Sequence, residues 1–119
     1  MSTPTKYTGG CHCGAVRYEV TADLSKTITC NCSLCSKAGS VLTFVPADQF
    51  TLLSGEENLT DYQFNKMIIH HVFCKTCGVR SFGRGTGYDG KPSVAINVRC
   101  LDEVDVSTLS PMAYDGKSK

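Results

Sequence analysis

Two short cysteine pairs, each followed by glycine, constrain this chain more than anything else in it. They are "CHCG", with Cys11 and Cys13, and "CKTCG", with Cys74 and Cys77. Between them lies a denser cluster, "CNCSLC", with Cys30, Cys32 and Cys35, and after them a lone Cys100. These are eight cysteines in 119 residues, and a chain of this length buries only a modest core, so many domains of its size draw stability from a metal or a cross-link. The opening segment "MSTPTKYTGG" has no apolar core and does not read as a secretory signal. The chain is therefore expected in the cytoplasm, where thiols stay reduced and clustered cysteines serve metals rather than disulfides.

A C-x-x-C followed by glycine is a tight turn that aims both sulfurs at one point, with glycine where the backbone bends back. The "CHC" pair is spaced i, i+2. On an extended strand this puts Cys11 and Cys13 on one face and His12 on the other. Joined to Cys74 and Cys77 they make a closed tetrahedral zinc site, of a kind that contributes roughly 10–16 kcal/mol of apparent binding free energy. Cys30, Cys32 and Cys35 are then left as three ligands with an open fourth position, the pattern of catalytic zinc. A substrate thiol taking that position would lose its proton and become a nucleophile at neutral pH. Two alternatives stay open: Cys100 could close the triplet into a second structural site, and iron–sulfur clusters take the same thiolates. A single cysteine at a strand end is more often a small buried hydrophobe, and the C-x-x-C-G turn suits zinc better.

The remainder reads as mainly β. In "AVRYEVTA", Val16, Tyr18 and Val20 share one face and Arg17 and Glu19 the other. Further strands are predicted at "VLTFVP", "FTLLSG", "LTDYQF", "MIIHHVF" and "VAINV", with turns at Ser54-Gly55 and Asn65-Lys66. Phe44, Tyr62, Phe64 and Phe73 alternate along these strands and are expected in the core. "FGRGTGYDGKPS" is glycine-dense and reads as an exposed loop, without the Lys-Ser/Thr of a phosphate-binding loop. Single helical turns are expected near residues 34–37 and 47–50. The chain is expected to be one zinc-binding domain over 1–119, with its core at 6–108 and a frayed tail, "YDGKSK". The formal net charge of +1 is scattered, so no basic stripe offers itself to nucleic acid. No apolar run approaches a membrane span.

The stretches "GGCHCGAVRYEV", "CNCSLCSK", "FCKTCGVRSF" and "NVRCLDE" resemble the family of glutathione-dependent formaldehyde-activating enzymes and centromere protein V, over residues 8–105. The wording of "CHCGAVRYEV" and "FCKTCGVRSF" looks closer to the centromere protein V branch. The resemblance implies the Mss4-like fold, a mainly β arrangement of small packed antiparallel sheets organised around zinc. It implies a structural zinc on Cys11, Cys13, Cys74 and Cys77, and a second, catalytic-type zinc on Cys30, Cys32 and Cys35. It also implies an activity: a carbon–sulfur lyase-type condensation of glutathione with formaldehyde to S-hydroxymethylglutathione.

The expected function is accordingly a zinc-dependent enzyme with two zinc ions per chain, the second partly occupied, acting on a small thiol and an aldehyde. Against it stand a non-catalytic scaffold with both metals structural, and a thiol redox sensor built on the triplet. His12 should project away from the first site. Of the adjacent His70 and His71, one should face inward and one outward. A glutathione site calls for a basic anchor, and Lys37, Arg17, Lys66 and Arg99 are the candidates by proximity to the motifs.

Overall fold

The structure is a computed structural model that describes residues 4–63, 69–86 and 90–115. In chain order these form β1 (Thr5–Gly10), β2 (Arg17–Ala22), β3 (Ile28–Cys30), helix α1 (Ser33–Ala38), β4 (Leu42–Pro46), β5 (Phe50–Ser54), β6 (Leu59–Tyr62), β7 (His70–Cys74), β8 (Phe82–Thr86), β9 (Pro92–Asn97) and β10 (Met112–Tyr114). Single 3-10 turns follow β4, β5 and β9 and precede β10. β1, β2 and β5 make one antiparallel sheet. The second sheet has the order β10-β3-β4-β9-β8-β7-β6 and is antiparallel except for the parallel β10–β3 pair. The mainly β, antiparallel architecture expected from the sequence is the one that forms.

The core sits where the two sheets meet. The alternation of β2 drives Tyr18, Val20 and Ala22 inward, none more than 2% exposed, while Arg17 and Glu19 take the other face. Val94 and Ile96 do the same from β9, which lies between β4 and β8. Tyr18, Phe50 and Phe82 bring their ring centroids to 4.7–5.8 Å, a spacing worth about 0.5–1.5 kcal/mol per pair beyond buried area. The Tyr18 hydroxyl donates to the Ser81 carbonyl at 3.2 Å, so its buried oxygen is not stranded.

Three sequence expectations are corrected. Phe44 and Tyr62 are not core: they are 56% and 51% exposed. In β4 the pleat gives the inward positions to Thr43 and Val45, and Thr43 can take one because its hydroxyl bonds the Lys26 carbonyl at 3.0 Å. Phe73 is half-buried, and Phe64 lies outside the described residues, as do Asn65 and Lys66. Second, residues 82–86 are a strand rather than a loop. β8 is paired on both sides, by β7 and β9, and at Gly83 a Cβ would come within 3.2 Å of the His70 carbonyl, so glycine there permits the close approach. Third, pairing continues past the expected core limit at 108: Met112–Tyr114 pair beside Ile28–Cys30 in the second sheet, and Tyr114 is the first residue of the stretch expected to fray.

Candidate metal centres and the cavity beside them

Cys11 leaves the end of β1 and Cys74 ends β7, and in each case the chain turns back at once on a glycine in the left-handed region, Gly14 (φ 85°) and Gly78 (φ 78°). The two turns are closed alike. Cys11 N donates to Val16 O and Gly14 N to Cys11 O; Cys74 N donates to Val79 O and Gly78 N to Cys74 O. The first pair is therefore a turn, not the extended strand its i, i+2 spacing suggested, and His12 is exposed as expected.

These two knuckles bring the sulfurs of Cys11, Cys13, Cys74 and Cys77 within 4.8 Å of one another. Cys13 Sγ stands 3.6 Å from both Cys11 Sγ and Cys74 Sγ. A tetrahedral ion with 2.3 Å metal–sulfur bonds sets its sulfurs about 3.8 Å apart, whereas a disulfide needs about 2.05 Å. The donor set therefore fits a four-coordinate thiolate metal, and all eight cysteines are free thiols. Donors support the sulfurs: Val16 N bonds Cys11 Sγ at 3.3 Å and Asn58 Nδ2 bonds Cys74 Sγ at 3.0 Å. The Cys77 amide, aided by Thr76 and the neighbouring thiols, holds Cys74 down at about 6. Cys13 goes the other way: the Ala15 amide pulls it down, but burial and the surrounding sulfurs outweigh that and carry it to about 11. A metal cation binds thiolates, so loading such a group displaces the protons its thiols carry.

Cys30, Cys32 and Cys35 form the second group, their sulfurs also within 4.8 Å. The local cause is α1. Cys32 is its N-cap, and its sulfur accepts from Cys35 N at 3.3 Å, while Gly39 (φ 70°) closes the helix after one and a half turns. Cys30 Sγ accepts from Cys32 N at 3.4 Å. Burial pushes the Cys35 thiol up to about 12; burial acts on Cys32 too, but the Cys35 amide and the Cys35 and Cys30 thiols bring Cys32 below its usual value. Among the described residues no fourth cysteine, histidine or carboxylate joins this group. Cys100 belongs to neither group. It is pushed up to about 11 by burial, and its thiol points at the Arg80 carbonyl, 3.7 Å away.

A cavity of about 510 Å³ adjoins α1. Leu34 and Ala38, on either side of Cys35 in sequence, form one wall; Tyr62, His71 and Phe73 form another; Gly78, Val79 and Arg80 run straight into it from the Cys77 knuckle. His71 is the inward member of the histidine pair, and burial, then the Arg80 charge, hold its pKa below the usual value, so it is neutral at pH 7. His70 faces out and pairs with Asp61 at 2.6 Å. Of the basic anchors expected from sequence, the described ones, Arg17, Lys37 and Arg99, do not line this cavity. Arg17 pairs with Asp102, Arg99 Nε donates to the Gly39 carbonyl at 3.2 Å, Lys37 is exposed, and Lys66 lies outside the described residues. Among the described residues the cation in the wall is Arg80, which sequence reading passed over. Its signal was its place in "CGVRSF", three residues after a knuckle cysteine and directly before buried Ser81 and Phe82.

The fold and these two groups define a small β protein that gathers seven cysteine sulfurs into one four-membered and one three-membered metal-type site. The family model for glutathione-dependent formaldehyde-activating enzymes matches residues 6–114, and the chain belongs to that family. Two curated relatives, from Penicillium rubens and Colletotrichum graminicola, are provisionally named glutathione-dependent formaldehyde-activating enzymes. They are 32% identical over 80 residues and 33% over 87, which is 62% and 66% of this chain. The matches span 41% and 45% of those relatives, less than half their length. A crystal structure of a Rhodobacter sphaeroides protein superposes with a TM-score of 0.80 at 30% identity, covering 89% of this chain and 97% of that one.

Proposed function

We propose that this protein condenses a small thiol, glutathione, with a small aldehyde such as formaldehyde, giving an S-hydroxymethyl adduct. In that reaction a sulfur–carbon bond forms, the carbonyl π bond breaks, and the thiol proton ends on the new hydroxyl oxygen. The observation that carries this reading is the three-sulfur group with no fourth protein ligand among the described residues, beside a cavity large enough for a tripeptide-sized thiol.

Zinc is the metal that suits both donor sets, and at Cys30, Cys32 and Cys35 it would supply the Lewis acidity that makes a thiol acidic at neutral pH. The chain's own part is positional. α1 holds Cys32 and Cys35 on one turn, and the amides of Cys32 and Cys35 donate to Cys30 and Cys32 sulfurs, so the group keeps its shape. Leu34, Ala38, Val79 and Phe73 give the wall an apolar surface against which a ligand would shed water, which would strengthen electrostatic interactions there. Neutral His71 stands in the same wall as a group able to accept or relay the proton. The Cys11–Cys13–Cys74–Cys77 group holds a structural zinc in this reading, for a total of two ions per chain. Within the family, the motif wording favours the centromere protein V branch.

The test is exchange spectroscopy by NMR on glutathione and formaldehyde, with metal content of the protein verified beforehand. Acceleration of adduct formation over buffer, lost in Cys35→Ser, is expected. No acceleration with both sites loaded would remove the enzyme reading and leave a scaffold with two metals.

A further inference from the structure

Arg80 is an unfinished interaction. Its Nη1 is shut off from solvent and has no hydrogen-bond partner within the protein. A guanidinium nitrogen in that position costs stability unless it is compensated, because the charged group has given up water without gaining an acceptor. The arginines and the histidine that sit near acids here use them: Arg17 with Asp102, Arg84 with Glu56 and His70 with Asp61. Among the described residues Arg80 has no such acid, and no carboxylate lines the cavity whose wall it forms. Among those residues the rest of the wall is apolar or neutral, and Arg80 is its one charge.

The backbone at Arg80 is held unusually firmly for a residue without a partner for its head group. Its carbonyl accepts from Asn97 Nδ2 at 2.9 Å and from the Cys100 thiol at 3.7 Å. Three residues upstream Cys77 belongs to the four-sulfur group, and directly downstream Ser81 and Phe82 are buried at 2% exposure. The backbone that carries this cation is therefore fixed, and Arg80 lines the cavity beside a wall contributed by the helix that carries Cys35. Its planar fork matches a carboxylate in two parallel hydrogen bonds.

We infer that Arg80 is the carboxylate anchor of this cavity, taking a carboxylate of the thiol whose sulfur is delivered to the Cys30–Cys32–Cys35 group. The inference rests on the proposed thiol chemistry for its choice of ligand, but not for its test. The probe is S-methylglutathione, which keeps both carboxylates and has no sulfur–hydrogen to give, compared with its dimethyl ester. Titration of the wild-type protein, followed by calorimetry and by the Arg80 Nε–H signal in NMR, should show the acid binding about 10- to 100-fold more tightly than the ester, the range a charge-assisted hydrogen-bonded pair supplies. Only the acid should move the Arg80 signal. Arg80→Gln should bind the acid as weakly as the ester, and Arg80→Lys should recover part of the difference. Equal binding of acid and ester to wild type, no binding of the acid, or binding that leaves the Arg80 signal unmoved each overturns the inference. If Arg80→Gln fails to fold, the wild-type comparison decides alone. Loss of the adduct-forming reading would leave these results standing, and loss of the Arg80 anchor would leave adduct formation to be judged separately.

Discussion

The two cysteine groups are built from opposite kinds of contact. The four-sulfur group joins residues 61 apart in sequence, from Cys13 to Cys74, and so ties the first sheet's β1 end to β7 of the second. The three-sulfur group comes from one turn, and its sulfurs are neighbours whatever the remainder of the chain does. Closing a long loop costs conformational entropy that a local turn does not. A metal at the first group therefore stabilises the fold, while one at the second mainly changes the chemistry of the turn that holds it.

The largest test of this difference is Cys74→Ser. Cys74 is 1% exposed and its sulfur meets Cys13 Sγ and the Asn58 amide. Roughly 10–16 kcal/mol of apparent zinc affinity stands against a domain stability of about 5–15 kcal/mol. We expect one metal fewer per chain by elemental analysis and no cooperative thermal transition by circular dichroism. A variant that melts within a few degrees of wild type would break the comparison. Next in size is graded chelation. The metal at Cys30, Cys32 and Cys35 should leave first, with the transition retained, and added glutathione should slow its loss. Simultaneous release of both metals would contradict the assignment of one closed and one open site.

A subtler pair isolates the turns. Gly78 and Gly39 both have φ in the left-handed region, and a Cβ at either would meet nothing within 4 Å. Gly78→Ala and Gly39→Ala should therefore each cost about 1–2 kcal/mol of backbone strain alone. That corresponds to a fall in melting temperature of roughly 4 °C per kcal/mol in a chain of this length. With metal bound the two should diverge: Gly78→Ala loosens the four-sulfur knuckle and should lose more stability along with metal retention, whereas Gly39→Ala loosens only the end of α1 and should show the strain cost alone. Loss of the tightly held metal in Gly39→Ala would mean the two groups are coupled.

The grouping of the sulfurs was legible because it follows from short-range spacing and the demands of a tight turn. What the groups hold is not written in spacing alone. β2 was legible for a similar reason, since its alternation leaves one solution for Tyr18 and Val20. β8 was not: "FGRGT" has loop composition, and only pairing with β7 and β9 makes it a strand. Phe44 and Tyr62 misled because alternation reports that two faces differ, not which faces inward, and the polar Thr43 reached the interior through its bond to Lys26. Arg80 was missed because a lone arginine in sequence looks like any solvated charge; its lack of an acidic partner is a property of the packed molecule.

The smallest expected effect is the most discriminating. Cys100 is the one cysteine outside both groups, and it is the cysteine that could turn the open site into a closed one. The geometry argues otherwise: burial keeps its thiol protonated, with a pKa of about 11, and its sulfur faces the Arg80 carbonyl rather than Cys30, Cys32 or Cys35. Cys100→Ser should keep the metal count of wild type and lose no more than about 1–2 kcal/mol, the scale of one weakened buried hydrogen bond. Because that bond helps hold Arg80 in the cavity wall, the variant should also weaken S-methylglutathione binding by a small factor. Release of one metal from Cys100→Ser would show the triplet to be a closed site, and catalysis through an open fourth position would lose its basis.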